Sequence, residues 1–232
     1  MARFLRLLLG ILLMPLCFSV TWATLDTVAK LPSRGIFSPQ LLWIAGGFFC
    51  WIVCWIVFRH PTGVYVFGHE MTHAVFGWLF LAKVSNLRVT TRGGSVMLSK
   101  DNILITLAPY FFPFYTMLLL LIRWIVSLFC NPVPCPEVWL FLTGFTWAFH
   151  LCFTIHSLCL SQPDCQQYGY VLSYVFIYLM NILGVGLWIV LATDDLSVKL
   201  YGKILWMRME YVYYMLYRYA LLGTRRLVAA LR

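Results

Sequence analysis

The sequence predicts an all-α polytopic membrane protein of about six transmembrane helices, with one small membrane-associated β-hairpin. Three observations carry that prediction. Hydrophobic residues fill 62% of the 232 positions, charged residues only 11%, and the mean hydropathy is +0.85. The apolar runs approach the roughly 20 residues a spanning helix needs, and they lack the alternation of barrel strands. One stretch between them, Lys83 to Lys100, instead alternates apolar and polar residues around a glycine pair, which is the pattern of a hairpin.

The elements follow in chain order. Residues 4–24 form an apolar run behind Arg3 and Arg6. It reads as a signal anchor, with a cleaved signal peptide ending near Ala23 as the alternative. With the polar loop at Pro32, Ser33, Arg34 and Gly35 it makes an N-terminal segment, 1–39. Residues 40–58 are the second span, closed by Arg59, His60 and Pro61. Residues 64–82 are the third, in which Gly68 and Gly77 are expected to share a face and admit a neighbouring helix.

Val84, Leu87, Val89, Val96 and Leu98 alternate with polar residues in the hairpin, 84–100, and Gly93-Gly94 supplies its turn. Exposed backbone is not tolerated in lipid, so the hairpin belongs at the interface or against helices lining a wet cavity. Residues 102–129 are the fourth run, broken by Ala108-Pro109 and Pro113, and read as a kinked or partly re-entrant helix. Residues 138–159 and 169–192 complete a membrane core of 40–192, the last span carrying Asn181 in its middle. The tail, 193–232, mixes Lys199, Lys203, Arg208, Arg218, Arg225 and Arg226 with aromatics, as an amphipathic helix on a membrane surface does.

The net charge of +9 does not point to nucleic acid. The basic residues sit in short loops and the tail, where anionic lipid and the positive-inside rule account for them. The expected partners are the lipid bilayer and a membrane-protein substrate; no sequence feature fixes an oligomeric state. Cys17, Cys50, Cys54, Cys152 and Cys159 lie in apolar runs, where cysteine acts as a small hydrophobe. Cys130 and Cys135 share a loop and could pair in an oxidising compartment, and no C-x-x-C argues for a cysteine-rich zinc site.

Chemistry concentrates in Gly68-His69-Glu70-Met71-Thr72-His73, an H-E-x-x-H inside an apolar segment. On a helix, positions i and i+4 share a face, so His69 and His73 can offer two imidazoles to one Zn²⁺ ion. Glu70 can reach a metal-bound water and take its proton. Ionisable groups at membrane depth cost at least about 2.5–3.5 kcal/mol each on insertion scales, so such a cluster needs a compensating partner, which a metal supplies.

Catalytic zinc usually takes three protein ligands. Between residues 40 and 192 the only acids are Glu70, Asp101, Glu137 and Asp164. Asp101 sits where the hairpin ends, and Glu137 begins a helix, where an acid suits the dipole. Asp164 lies in Ser161-Gln162-Pro163-Asp164-Cys165, a polar break between two apolar spans. Broken backbone near membrane depth is expected where it lines a cavity. Asp164 therefore ranks first as third metal ligand and His156 second; His150 lies six residues from His156, close to the opposite helix face, so at most one of the two can point at the site.

His69-Glu70-Met71-Thr72-His73-Ala74, the hairpin with Gly93-Gly94-Ser95-Val96, then Asn102 and an Ala108-Pro109 helix together resemble the site-2 protease family of intramembrane zinc metallopeptidases. The resemblance covers roughly residues 64–175. It implies zinc held by His69, His73 and Asp164, Glu70 as general base, and a hairpin that holds an extended substrate by strand addition. Gln162-Pro163 precedes the aspartate here, where the family often has Asn-Pro-x-Pro-x-x-Asp-Gly, so the chain reads as a divergent or minimal member.

The function expected is that of a zinc-dependent intramembrane or juxtamembrane endopeptidase cleaving membrane-associated proteins. Asn102 or Asn181 is a candidate donor to the oxyanion. The alternative is a non-proteolytic, zinc-containing membrane scaffold or chaperone. Haem binding fits poorly, because haem-facing histidines normally come from opposing helices.

Overall fold

The computed structural model describes residues 2–31, 38–90, 93–192 and 196–230. The expected loop at Pro32 to Gly35 and the Asp194-Asp195 pair lie outside the described residues. In order, the elements are α1 (Ala2–Ala29), α2 (Pro39–Val57), α3 (Thr62–Leu79), β1 (Val84–Thr90) and β2 (Gly93–Leu98), then α4 (Ile103–Leu107), a 3₁₀ turn (Ala108–Tyr110), α5 (Phe114–Phe129), α6 (Pro136–Leu158), α7 (Pro163–Tyr168), α8 (Tyr170–Ala192) and α9 (Val198–Ala230).

Four helices are long and apolar enough to cross a membrane: Arg3–Ala29, Pro39–Val57, Pro136–Leu158 and Tyr170–Leu191. The pair Ile103–Tyr110 and Phe114–Phe129, bent by 86°, makes a fifth if it counts as one broken span. Six spans are therefore not reached among the described residues. The missing one is α3, whose His69, Glu70, Thr72 and His73 dilute its apolar character. The bend follows Ala108-Pro109 and Pro113, as proline geometry predicts.

Contacts divide the chain into two compact units: Phe37–Ser173, and Met1–Ile36 with Tyr174–Arg232. In the second, Cys17, Val20 and Leu179 form a buried cluster flanked by Val175, Ile182 and Leu205. Charge is neutralised locally. Arg208 of α9 ion-pairs with Asp26 of α1 and lies 4.0 Å above the Trp22 ring, while Tyr201 bonds to Thr24. The basic tail is thus a long helix packed along α1.

In the other unit, α2 and α6 touch at backbone distance. A Cβ at Gly47 would lie 1.8 Å from the Phe141 carbonyl oxygen, and one at Gly144 would lie 1.9 Å from that of Ile44. Each glycine is the notch into which the other helix fits. Trp51, Ala148, Phe149 and Phe153 extend this seam as a buried cluster.

Helix α3 ends where Leu81 adopts φ 56 and the Ala82 amide bonds back to the Gly77 carbonyl at 2.8 Å, a C-terminal capping turn. The chain then enters the hairpin, with Val84 opposite Leu98 and Thr90 opposite Gly93. The register shifts between Ser85 and Arg88, where Asn86 takes φ 52. Residues 91–92, between the strands, lie outside the described residues. Gly68 and Gly77 do not share a neighbour: Gly68 faces the Tyr115 ring, and Gly77 faces Leu98 and Val84 of the hairpin. Nine residues along a helix is half a turn out of phase, so the common face expected from the sequence does not exist.

Cys130 and Cys135 are exposed free thiols, not a disulfide.

Candidate metal centre

The i, i+4 spacing on α3 brings the rings of His69 and His73 to 4.9 Å between centroids. Asp164 comes from the first turn of α7, which opens on Pro163, a residue suited to that position. Its Oδ2 atom lies 3.4 Å from Nε2 of His69 and 3.6 Å from Nε2 of His73. All three ligand atoms lie within 4.8 Å of one another, and together they can hold a metal ion.

The hydrogen bonding of the trio fits a cation. Nδ1 of His73 sits 3.0 Å from the Ile105 carbonyl oxygen. A carbonyl can only accept, so Nδ1 carries the proton, and when the ring is neutral the Nε2 lone pair faces Asp164. A carboxylate oxygen is electron-rich as well. Two such atoms facing each other need a positive charge between them, which a proton or a metal ion supplies. With metal–ligand bonds of about 2.0–2.2 Å, the edges of a tetrahedral site are about 3.3–3.5 Å, close to the two separations seen here.

Supports surround each ligand. The Tyr65 hydroxyl lies 3.3 Å from Nδ1 of His69 and accepts from Ser157 Oγ at 2.8 Å. Tyr110, fully buried, donates to Asp164 Oδ2 at 2.9 Å. Burial alone would raise the Asp164 carboxyl, but hydrogen bonds from the two adjacent imidazoles, and their positive charge when protonated, outweigh it and hold the group well below the usual carboxylate range. Burial, then the Asp164 charge, pushes the neighbouring Cys165 thiol up to about 12, which leaves it inert.

Glu70 is buried beneath the hairpin. A Cβ at Gly94 would fall 2.5 Å from its Cγ and 2.8 Å from its Oε1, so only glycine lets β2 rest there. Glu70, the trio, the Gly93–Val96 run of β2 and the end of α6 line one cavity of about 660 Å³. β2 pairs only with β1 among the described residues, so the strand presents a second edge.

The structure separates the other candidates. His156 is exposed at the cavity wall, its ring 6.0 Å from Trp55 and 6.1 Å from His60, outside the ligand group. His150 is buried in α6 and lines a narrow space with Thr72 and Tyr115. The Asn102 side-chain oxygen caps α4, accepting from the Leu104 and Ile105 amides, and Asn181 donates to the Ile177 carbonyl of its own helix. Neither asparagine lines the cavity. Sequence reasoning missed Tyr65, Tyr110, Ser157 and the Ile105 carbonyl. Only Tyr65 carries a signal, standing four residues before His69 on the same helix face.

Fold and site together define a helical membrane protein with a His69-His73-Asp164 group able to hold a metal ion. Comparison of the chain with protein-family models, with curated proteins and with solved structures finds no match.

Proposed function

We propose that the protein is a zinc-dependent endopeptidase that cleaves membrane-associated proteins within or beside the bilayer, of the site-2 protease type. The observation that carries this reading is the placement of Glu70. It lines the same cavity as the His69-His73-Asp164 group, beside a strand with a second edge. Two imidazoles and one carboxylate are a common zinc donor set. When bound, zinc acidifies a water and polarises a carbonyl.

The chain supplies the rest. The outer edge of β2 accepts an extended substrate segment through main-chain hydrogen bonds. Glu70 takes a proton from the attacking water, whose hydroxyl adds to the acyl carbon. Glu70 then passes that proton to the amine nitrogen as the C–N bond breaks. His73, oriented by Ile105, and Asp164, held by Tyr110, keep the site in register through the cycle.

The test pairs metal analysis of the purified protein with cleavage of candidate single-span substrates by wild type and Glu70→Gln. Stoichiometric zinc in both, with cleavage only by wild type, supports the reading. Zinc without cleavage by either protein favours the scaffold alternative, and undiminished cleavage by Glu70→Gln overturns the role of Glu70.

A further inference from the structure

The third ligand rides on a short helix. α7 spans only Pro163–Tyr168 and is followed by Gly169 at φ 87, a left-handed break. Six residues make too short a helix to hold its own shape, so its position depends on outside contacts. One contact is the Tyr110 bond to Asp164 itself. A second comes from Asp101, which no part of the proposed reaction uses. Tyr168 donates its hydroxyl to Asp101 Oδ1 at 3.0 Å, and Gln167 donates its side-chain amide to Oδ2. Both carboxylate oxygens are therefore spent on the last turn of α7, across a sequence gap of 66 to 67 residues. Among the described residues no Lys or Arg forms an ion pair with Asp101.

Asp101 is also fixed from its other side. It directly precedes Asn102, the cap of α4, and α4 supplies the Ile105 carbonyl that orients His73. One segment, residues 101–110, therefore reaches both His73 and the helix bearing Asp164.

We infer that Asp101 is a positioning residue that clamps α7 so that Asp164 faces His69 and His73. This rests on the metal reading of the trio. A carboxylate suits the task because its two oxygens accept from two donors at once, and an asparagine keeps only one acceptor.

The experiment uses the full-length protein in detergent, first metal-free and then titrated with Co²⁺, whose absorption bands report ligand number and geometry. In metal-free protein, Asp101→Ala should speed amide exchange at residues 164–168 while leaving α3 unchanged. Cobalt affinity should fall about tenfold, the lower end of what loss of an outer support costs a metal site. The Asp101→Ala bands should shift toward those of Asp164→Ala, and Asp101→Asn should fall between wild type and Asp101→Ala. Gln167→Leu with Tyr168→Phe should reproduce Asp101→Ala from the other side of the clamp. Unchanged exchange in α7 overturns the clamp. Faster exchange with unchanged cobalt affinity and bands overturns its link to Asp164. Failure of wild type to bind cobalt or zinc overturns the metal reading and, with it, the role given to Asp101.

Discussion

The Nδ1 atom of His73 lies 3.0 Å from the main-chain carbonyl of Ile105. Because that acceptor is backbone, no side-chain substitution removes it, and the ring keeps Nε2 toward Asp164 whatever residue occupies position 105. His69 has a weaker arrangement, since its Nδ1 faces the Tyr65 hydroxyl, a group that both donates and accepts. The two histidines are thus unequally held.

Metal content tests the trio first. His69→Ala, His73→Ala and Asp164→Ala should each purify with far less than one equivalent of zinc, because each leaves an incomplete ligand set. His156→Ala should keep most of its metal. Elemental analysis of the four variants decides, and full zinc in Asp164→Ala with loss in His156→Ala would reverse the assignment of the third ligand.

Tyr110→Phe should weaken metal binding without abolishing it. It deletes only the hydroxyl that holds Asp164 Oδ2, and losing an outer partner of a ligand typically costs about 10- to 100-fold in affinity. Tyr65→Phe should cost less, since its bond to His69 is longer, at 3.3 Å. Competition against a chelator of known affinity would rank the two.

Gly94→Ala should separate metal binding from turnover. The added methyl would meet Glu70 at 2.5 to 2.9 Å, so either Glu70 or the hairpin must move. Zinc content should stay normal while cleavage falls by about tenfold or more, comparable to partial loss of a general base. Normal cleavage by Gly94→Ala would show that the Glu70 position seen here is not the working one.

The part of the site that the sequence exposed is the part governed by spacing. His69, Glu70 and His73 announce themselves through an i, i+4 pattern, and Asp164 through a polar break in an apolar chain. The hairpin was legible from alternation, and the bend near Pro109 from proline chemistry. The supports were not. Tyr110 reaches Asp164, and Ser157 reaches Tyr65, from other elements of the fold, and an aromatic or a serine in an apolar run looks the same whether or not it supports a ligand. The sixth expected span is not reached among the described residues for a related reason. The residues that make α3 chemically interesting also make it less apolar than a lipid-facing helix.

The interlocked notches at Gly47 and Gly144 have a mechanical consequence. Two helices meeting backbone to backbone can neither slide nor roll without collision, so α2 and α6 behave as a single girder. α6 carries His156 and Ser157 into the cavity wall, which makes that wall a stator. Another wall is the hairpin, exposed along most of its length and resting on Glu70 through a glycine. On the proposed reading, room for a polypeptide substrate would be made on the hairpin side, by the same strand that covers Glu70.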